Sequence, residues 1–266
     1  MEMTVWIAIL TMGGLGLFFA AILAFADTKF HVQENPLLVK VTDALPHANC
    51  GVCGRASCLD FAMHVMEGQV PITGCPLGGA ELADKLATIL DMEVEHHQPK
   101  VARLMCRGDN QAALSKPALY YGPQSCALQS LASGGRLLCF EGCLGGGDCA
   151  RACPVGAISM SAGGLPFINA GLCTGCGLCV NTCPRLIIEL HPREREIFVL
   201  CKNRDDPLTA RQVCAAACNA CGVCARFSDG AIKMIHNLAV IDYQQLDPQQ
   251  APLERCKSGS LTRLRD

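Results

Sequence analysis

Aromatic residues are scarce in this 266-residue sequence, at 5% with a single tryptophan, and charged residues make up only 17%. Neither sign of charge dominates, since 22 Lys and Arg stand against 24 Asp and Glu for a formal charge of −2. The basic surface that holds nucleic acid is therefore missing, so nucleic acid is not an expected partner. Low charge with half of the residues hydrophobic and a mean hydropathy of +0.28 also excludes a disordered chain. There is no GxGxxG fingerprint, no P-loop and no HExxH. Nicotinamide binding, nucleotide hydrolysis and zinc-activated water thus have no recognised motif. Cysteine, by contrast, is abundant: 20 residues, far beyond what packing a core requires.

An uncharged, mostly apolar stretch runs from Val5 to Ala26 and includes Trp6, Ile9, Leu10, Leu17, Phe18, Phe19, Ile22 and Leu23. As a helix it would cover roughly 33 Å, enough for a hydrocarbon core of about 30 Å. Ala24-Phe25-Ala26 resembles a signal cleavage site, but the cationic opening of a signal is missing and the run is long, so an uncleaved anchor is expected. Lys29 and Lys40 follow the run and no Lys or Arg precedes it. The positive-inside rule then puts one span in the cell (inner) membrane and the rest of the chain on the cytoplasmic side.

In a reducing compartment dense cysteine points to metal ligation rather than disulfides. Cys173, Cys176, Cys179 and Cys183 before Pro184 form CxxCxxCxxxCP, the run of bacterial ferredoxins. Three thiolates serve one 4Fe-4S cube and the fourth turns to a neighbouring one. Zinc sites more often come as two separated CxxC pairs. The partner run is Cys139, Cys143, Cys149 and Cys153 before Pro154, in which Gly146 stands where Cys176 stands in the other. Cys139 is the expected substitute. One cube would then take Cys139, Cys143, Cys149 and Cys183, and the other Cys173, Cys176, Cys179 and Cys153. Gly156-Ala157-Ile158 and Leu165 to Ile168 read as a small hairpin between the runs.

A third run, Cys218, Cys221 and Cys224, has Ser228 in the fourth place. A module that keeps one cube no longer needs that cysteine, and its second run is degraded to Gln244 through Pro252 with Cys256 surviving. One cube on Cys218, Cys221, Cys224 and Cys256 is expected. A fourth group, Cys50, Cys53, Cys58 and Cys75, suffices for another cube; a helix should start at Cys58, and a second apolar face, Leu82, Leu86, Ile89 and Leu90, follows Gly79. A module this small needs its metal to fold well. About four 4Fe-4S clusters follow. None of the histidines is expected to be a ligand; His47 reads as a surface-loop residue, and His96 and His97 fall in a polar linker.

The expected class is α+β: a transmembrane anchor over 1–28, a small helical single-cluster module over 29–95, a ferredoxin-like (βαββαβ-type) domain with two clusters over 96–195, and a degenerate ferredoxin-like module over 196–266. Val101 to Cys106 and Ile197 to Cys201 read as matching lead-in strands, and Cys139 is matched by Cys214. Cys214 is thus an alternative ligand in the last module or a small buried hydrophobe. Cys106, Cys126 and Cys201 read as core thiols.

The apolar helix, the LPxxNCGxCGxxxC…GCPxGG segment and the GCLGxGDCxxACP run resemble the B subunit of the Rnf complex over nearly the whole chain. The resemblance implies the iron–sulfur subunit of a membrane-bound, ion-translocating ferredoxin:NAD oxidoreductase. It also implies soluble ferredoxin as electron donor, and integral membrane and flavin-bearing subunits as partners. Ser228 and the Asp242 to Pro252 stretch depart from longer members. Two other classes share some of these features: the iron–sulfur subunit of a hydrogenase or formate dehydrogenase, and a zinc-binding membrane regulator.

Overall fold

The computed structural model describes residues 2–30, 35–94, 98–116, 120–135 and 137–264. His96 and His97 lie outside the described residues. The chain mixes helices and short strands. It begins with helix α1 (Glu2–Phe30). Among the described residues α1 is the one helix long and apolar enough to cross a membrane; its window Ile9–Lys29 has a mean hydropathy of 2.2 and is 0% buried in protein. A helix that is apolar on every side is stable only inside protein or lipid, and this chain covers none of it.

A helical unit follows, made of α2 (Pro36–Ala44), α3 (Cys58–Met66), a 3-10 turn (Ile72–Gly74) and α4 (Gly79–Leu90). Each start has a local cause. Asn35 caps α2 through Leu37 N, with Pro36 in the first turn where its missing N–H costs nothing. Ser57 accepts from Asp60 N, and Asp60 accepts in return from Ala56 N, so α3 begins at Cys58 as its spacing predicts. The apolar faces meet in a core of Val41, Phe61, Val65, Ile72, Leu82 and Leu86, with Ile89 and Leu90 packed at its edge.

Two strand-bearing units complete the chain, and they share one plan. In the first, β1 (Lys100–Leu104) pairs antiparallel with β4 (Ile188–Pro192), and the hairpin β2 (Ile158–Met160) and β3 (Pro166–Ile168) lies between them in sequence. Helices α5 (Cys126–Ser133) and α6 (Asp148–Arg151) precede the hairpin and α7 (Leu178–Thr182) follows it. In the second, β5 (Ile197–Val199) pairs with β8 (Leu261–Arg263) around the hairpin β6 (Ile232–Ile235) and β7 (Leu238–Ile241). Its helices are α8 (Pro207–Val213) and α9 (Val223–Arg226), and a 3-10 turn (Leu253–Arg255) stands where α7 stands in the first. Because first and last strands pair in both, the cysteine loops between them are held at fixed spacing.

The two units are joined side by side. Ala113 bridges to Cys214, Ala215 N donates to Ala112 O at 2.8 Å, and Leu114 N donates to Val213 O at 2.9 Å. Glu189 on β4 pairs with Lys202 beyond β5 and with His191 at 3.1 Å. These contacts hold Glu189 well below the usual carboxylate range, at about 2, the His191 hydrogen bond first and Lys202 after it, against the opposing effect of burial.

Candidate iron–sulfur sites

Each cysteine run is a loop bent twice into left-handed backbone. Gly145 and Gly147, Gly175 and Gly177, and Ala220 and Gly222 all have positive φ, and each second member caps the short helix that carries the run's third cysteine, Cys149, Cys179 or Cys224. The twofold bend turns successive thiols inward, which a CxxCxxC spacing on a straight strand or helix could not do. The cysteines that reach back from a distance share another geometry. Cys75, Cys183 and Cys256 each end a helix or 3-10 turn in extended backbone, with φ/ψ of −93/100, −77/110 and −83/94.

In the helical unit Cys50, Cys53, Cys58 and Cys75 line one cavity beside Phe61. Asn49 Oδ1 accepts from Cys58 N at 2.8 Å and ties the first loop to α3. Burial raises the Cys75 thiol, with a smaller contribution from Cys53 and Cys58. Cys50 is exposed, so this cavity reaches the surface. His47 is also exposed, as a loop residue should be.

In the first strand-bearing unit the four cysteines Cys153, Cys173, Cys176 and Cys179 are brought together. Burial pushes Cys179 up to about 12, and Cys173, Cys176, Cys149 and Cys153 add like-charge repulsion. Amide donors already face two of the sulfurs: Ala102 N to Cys173 Sγ at 3.5 Å and Ala157 N to Cys153 Sγ at 3.3 Å.

The neighbouring cavity corrects the sequence-based expectation. It is lined by Cys126, Cys143, Cys149 and Cys183, and Cys139 is not among its walls. Gly146 explains why. A Cβ there would lie 2.5 Å from Cys126 N and 3.0 Å from Cys126 Sγ, so the place of the missing run cysteine is filled by the start of α5. Asp148 holds α5 there, its Oδ2 accepting from Ser125 Oγ and from Ala127 N, both at 3.0 Å. Burial would raise the Asp148 carboxyl, but the Ala127 and Cys126 amides, the Ser125 hydroxyl and Arg151 outweigh it and keep it low. Burial pushes Cys143 up to about 12 and Cys149 to about 11, with Cys126 repelling both. The sequence contained no spacing signal for Cys126, because 17 positions and a helix separate it from Cys143.

In the last unit Cys218, Cys221, Cys224 and Cys256 share one cavity of about 470 Å³. Cys256 Sγ accepts from Leu261 N at 3.4 Å and lies 3.4 Å from Ser260 Oγ. Burial opposes ionisation of Cys256, but Ser260, Leu261 and Ser258 outweigh it and lower its thiol. Ser228 Oγ accepts from Ile232 N at 2.9 Å, the same four-residue bond that Cys153 Sγ makes with Ala157 N. The serine makes the turn without supplying a thiol. Cys214, the alternative ligand here, faces away from this cavity and lines another together with Cys106, Cys139 and Cys201. Cys201 and Cys214 also belong to the buried core of this unit, as core thiols should, while Cys126 lines the cavity with Cys143, Cys149 and Cys183.

The donor sets fit cubes better than single ions. A zinc ion draws four sulfurs to about 3.8 Å from one another. Among the described residues no three His, Cys, Asp or Glu side chains converge closely enough to hold one metal ion, whereas the cysteines ring their cavities in fours. Thiols bind metal as thiolates, so loading these sites would release protons.

Comparison with known proteins agrees with this chemistry. Residues 45–77 match a putative Fe-S cluster family and residues 138–188 a 4Fe-4S dicluster domain. The chain is 39% identical over 254 residues to the B subunit of the Na(+)-translocating ferredoxin:NAD(+) oxidoreductase complex of Acetobacterium woodii, covering 94% of this chain and 75% of the relative. It is 36% identical over 262 residues to the B subunit of the proton-translocating ferredoxin:NAD(+) oxidoreductase complex of Clostridium ljungdahlii, covering 97% and 92%. To the B subunit of the ion-translocating oxidoreductase complex of Methanosarcina acetivorans it is 34% identical over 239 residues, covering 90% of each. With cysteine sets of this kind and relatives matched along most of their length, the chain belongs to the B-subunit family of Rnf-type ion-translocating ferredoxin:NAD oxidoreductase complexes.

Proposed function

We propose that this chain is the electron-carrying subunit of such a complex, taking electrons from soluble ferredoxin and passing them to integral membrane and flavin-bearing subunits. The observation that carries this reading is the gathering of cysteines in fours, three of the sets each around its own cavity. The ligand sets are Cys50, Cys53, Cys58 and Cys75; Cys126, Cys143, Cys149 and Cys183; Cys153, Cys173, Cys176 and Cys179; and Cys218, Cys221, Cys224 and Cys256. The shared strand plan supports a ferredoxin-like fold for both strand-bearing units, the first with two clusters and the second with one. Bound 4Fe-4S groups supply one-electron chemistry. The chain's own residues hold them in place, exclude water through burial and aim amides at sulfur, which sets the potentials.

Cys50 in the first set and Cys221 in the last are exposed, whereas the cysteines of the two middle sets are buried or half-buried, so partners would exchange electrons through these two residues' sets and the middle sets would relay. Helix α1 anchors the chain as a single span, and Lys29 and Lys40 favour a cytoplasmic position for the rest.

The test is anaerobic purification of the full chain with its complex, followed by mixing with reduced ferredoxin. Bleaching of the visible iron–sulfur absorbance on mixing is the expected result, these four sets accounting for at least about sixteen irons and sixteen sulfides per chain. Deleting residues 1–30 should preserve the bleaching and abolish co-purification with the membrane subunits. A colourless chain, or a loaded one that ferredoxin cannot reduce, would overturn the reading.

A further inference from the structure

We propose that Cys106, Cys139, Cys201 and Cys214 form a fifth 4Fe-4S site, built at the junction of the two strand-bearing units and placed between their clusters. This extends the reading above and rests on it. All four line one cavity, together with Gly108, Gly142 and Asn203. Cys139, Cys201 and Cys214 are buried, at 8%, 8% and 7% exposure, and none of the four is in a disulfide. The glycine at 108 leaves room for the sulfurs: a Cβ there would stand 3.1 Å from Cys214 Sγ and 3.7 Å from Cys106 Sγ.

The site has an internal twofold logic. Cys106 and Cys201 follow the first strands, β1 and β5, of their units. Cys139 and Cys214 each stand four residues before the first cysteine of a run, Cys143 and Cys218. The donors repeat as well. Cys106 accepts from the amides of Gly108 and Cys143, and Cys201 from those of Asn203 and Cys218, the last at 3.3 Å. Each unit thus contributes an equivalent pair, and this cavity gains its four thiols only because the two units meet.

A buried polar group faces the same cavity. Asn203 is 1% exposed; its Oδ1 accepts from Asp205 N at 2.8 Å, and its Nδ2 donates to Asp205 Oδ2 at 2.9 Å and to Cys139 Sγ at 3.4 Å. Asp205 thus fixes the amide so that its second N–H meets the sulfur, and a donor on sulfur is how a protein tunes a cluster thiolate. Loading would exchange four S–H bonds for four Fe–S bonds on a preassembled cube and release four protons, without net oxidation. The amides of Cys143 and Cys218 connect this site to the set of Cys126, Cys143, Cys149 and Cys183 on one side. On the other they connect it to the set of Cys218, Cys221, Cys224 and Cys256, so electrons need not leave the protein to cross from one unit to the other.

Iron and acid-labile sulfide on the anaerobic full chain should reach about twenty each rather than about sixteen. Cys139→Ala and Cys214→Ala should each remove about four of each, or leave a three-iron cluster visible by electron paramagnetic resonance, while the signals of the other clusters persist. Native-state alkylation of the loaded wild type guards against misfolded variants: all twenty cysteines should resist. A wild type at sixteen whose Cys106, Cys139, Cys201 and Cys214 are alkylated overturns the fifth site and leaves the four-set reading intact. Zinc in place of iron at these four also overturns it. A content well below sixteen fails both readings.

Discussion

The two strand-bearing units have the same strand pairing but spend it differently. Between β1 and β4 both loops carry cysteines, and Ala102, Cys149, Ile158, Cys179 and Ile188 pack among them. Between β5 and β8 the second loop is Gln- and Pro-rich and carries only Cys256, and the buried residues Ile197, Ala210, Ile232, Leu238, Ala239 and Leu261 form one core with Ala113 and Leu137 of the first unit. With two proposed clusters against one, the first unit should depend more on its clusters for folding than the second.

Chelation under anaerobic conditions gives the largest expected effect. Proteolysis of the iron-depleted chain should cut first within 98–195 and later within 197–264; equal rates would break the comparison. Next is Gly146→Ala. Its Cβ meets the Cys126 and Ser125 backbone at 2.5 and 2.7 Å, which a side-chain rotation cannot relieve. The variant should lose the cluster of Cys126, Cys143, Cys149 and Cys183, about four irons, and about 1–3 kcal/mol of stability. By contrast Ala220→Gly, at the second unit's counterpart of Gly145, should leave iron content unchanged, as it relieves a positive φ of 51°.

Asp148→Ala ranks third. It removes the acceptor for Ser125 Oγ and Ala127 N, so Cys126 should become accessible to alkylation with loss of about 1–2 kcal/mol, read by chemical denaturation. Ser228→Ala should cost about 1 kcal/mol by leaving Ile232 N without its acceptor, and Ser228→Cys should restore that bond without adding a cluster, since the loop before Cys256 lacks the other ligands.

Smallest is the junction pair. The carboxyl of Glu189 is held near 2, below its ordinary 4.5, so its contribution is complete above about pH 4.5 and is lost as pH falls through 2. Because Glu189 remains partly exposed, solvent screening should keep that contribution under about 1 kcal/mol. Glu189→Gln should flatten the acid limb of stability measured by denaturant midpoint against pH; an unchanged limb would detach the pair from the junction.

Much was legible from spacing alone. The start of α3 at Cys58, the apolar face of α4, the β2–β3 hairpin and the share of Cys256 in the last cavity all follow from local pattern, because caps, periodicity and runs act over a few residues. Cys126 and the junction cysteines did not follow. Cys139 sits four residues from Cys143 and looked like its partner, yet the fold turns its sulfur to the other unit and brings Cys126 to Gly146 instead.

By itself, then, the sequence determined the cofactor chemistry, the apolar helix and the family, since thiol runs, hydropathy and motif are properties of neighbouring residues. Which thiols share a cavity was decided only by tertiary structure. A ligand set closes in space, and a residue 17 positions away on a helix pinned by Asp148 can reach a site that a residue four positions away is turned from.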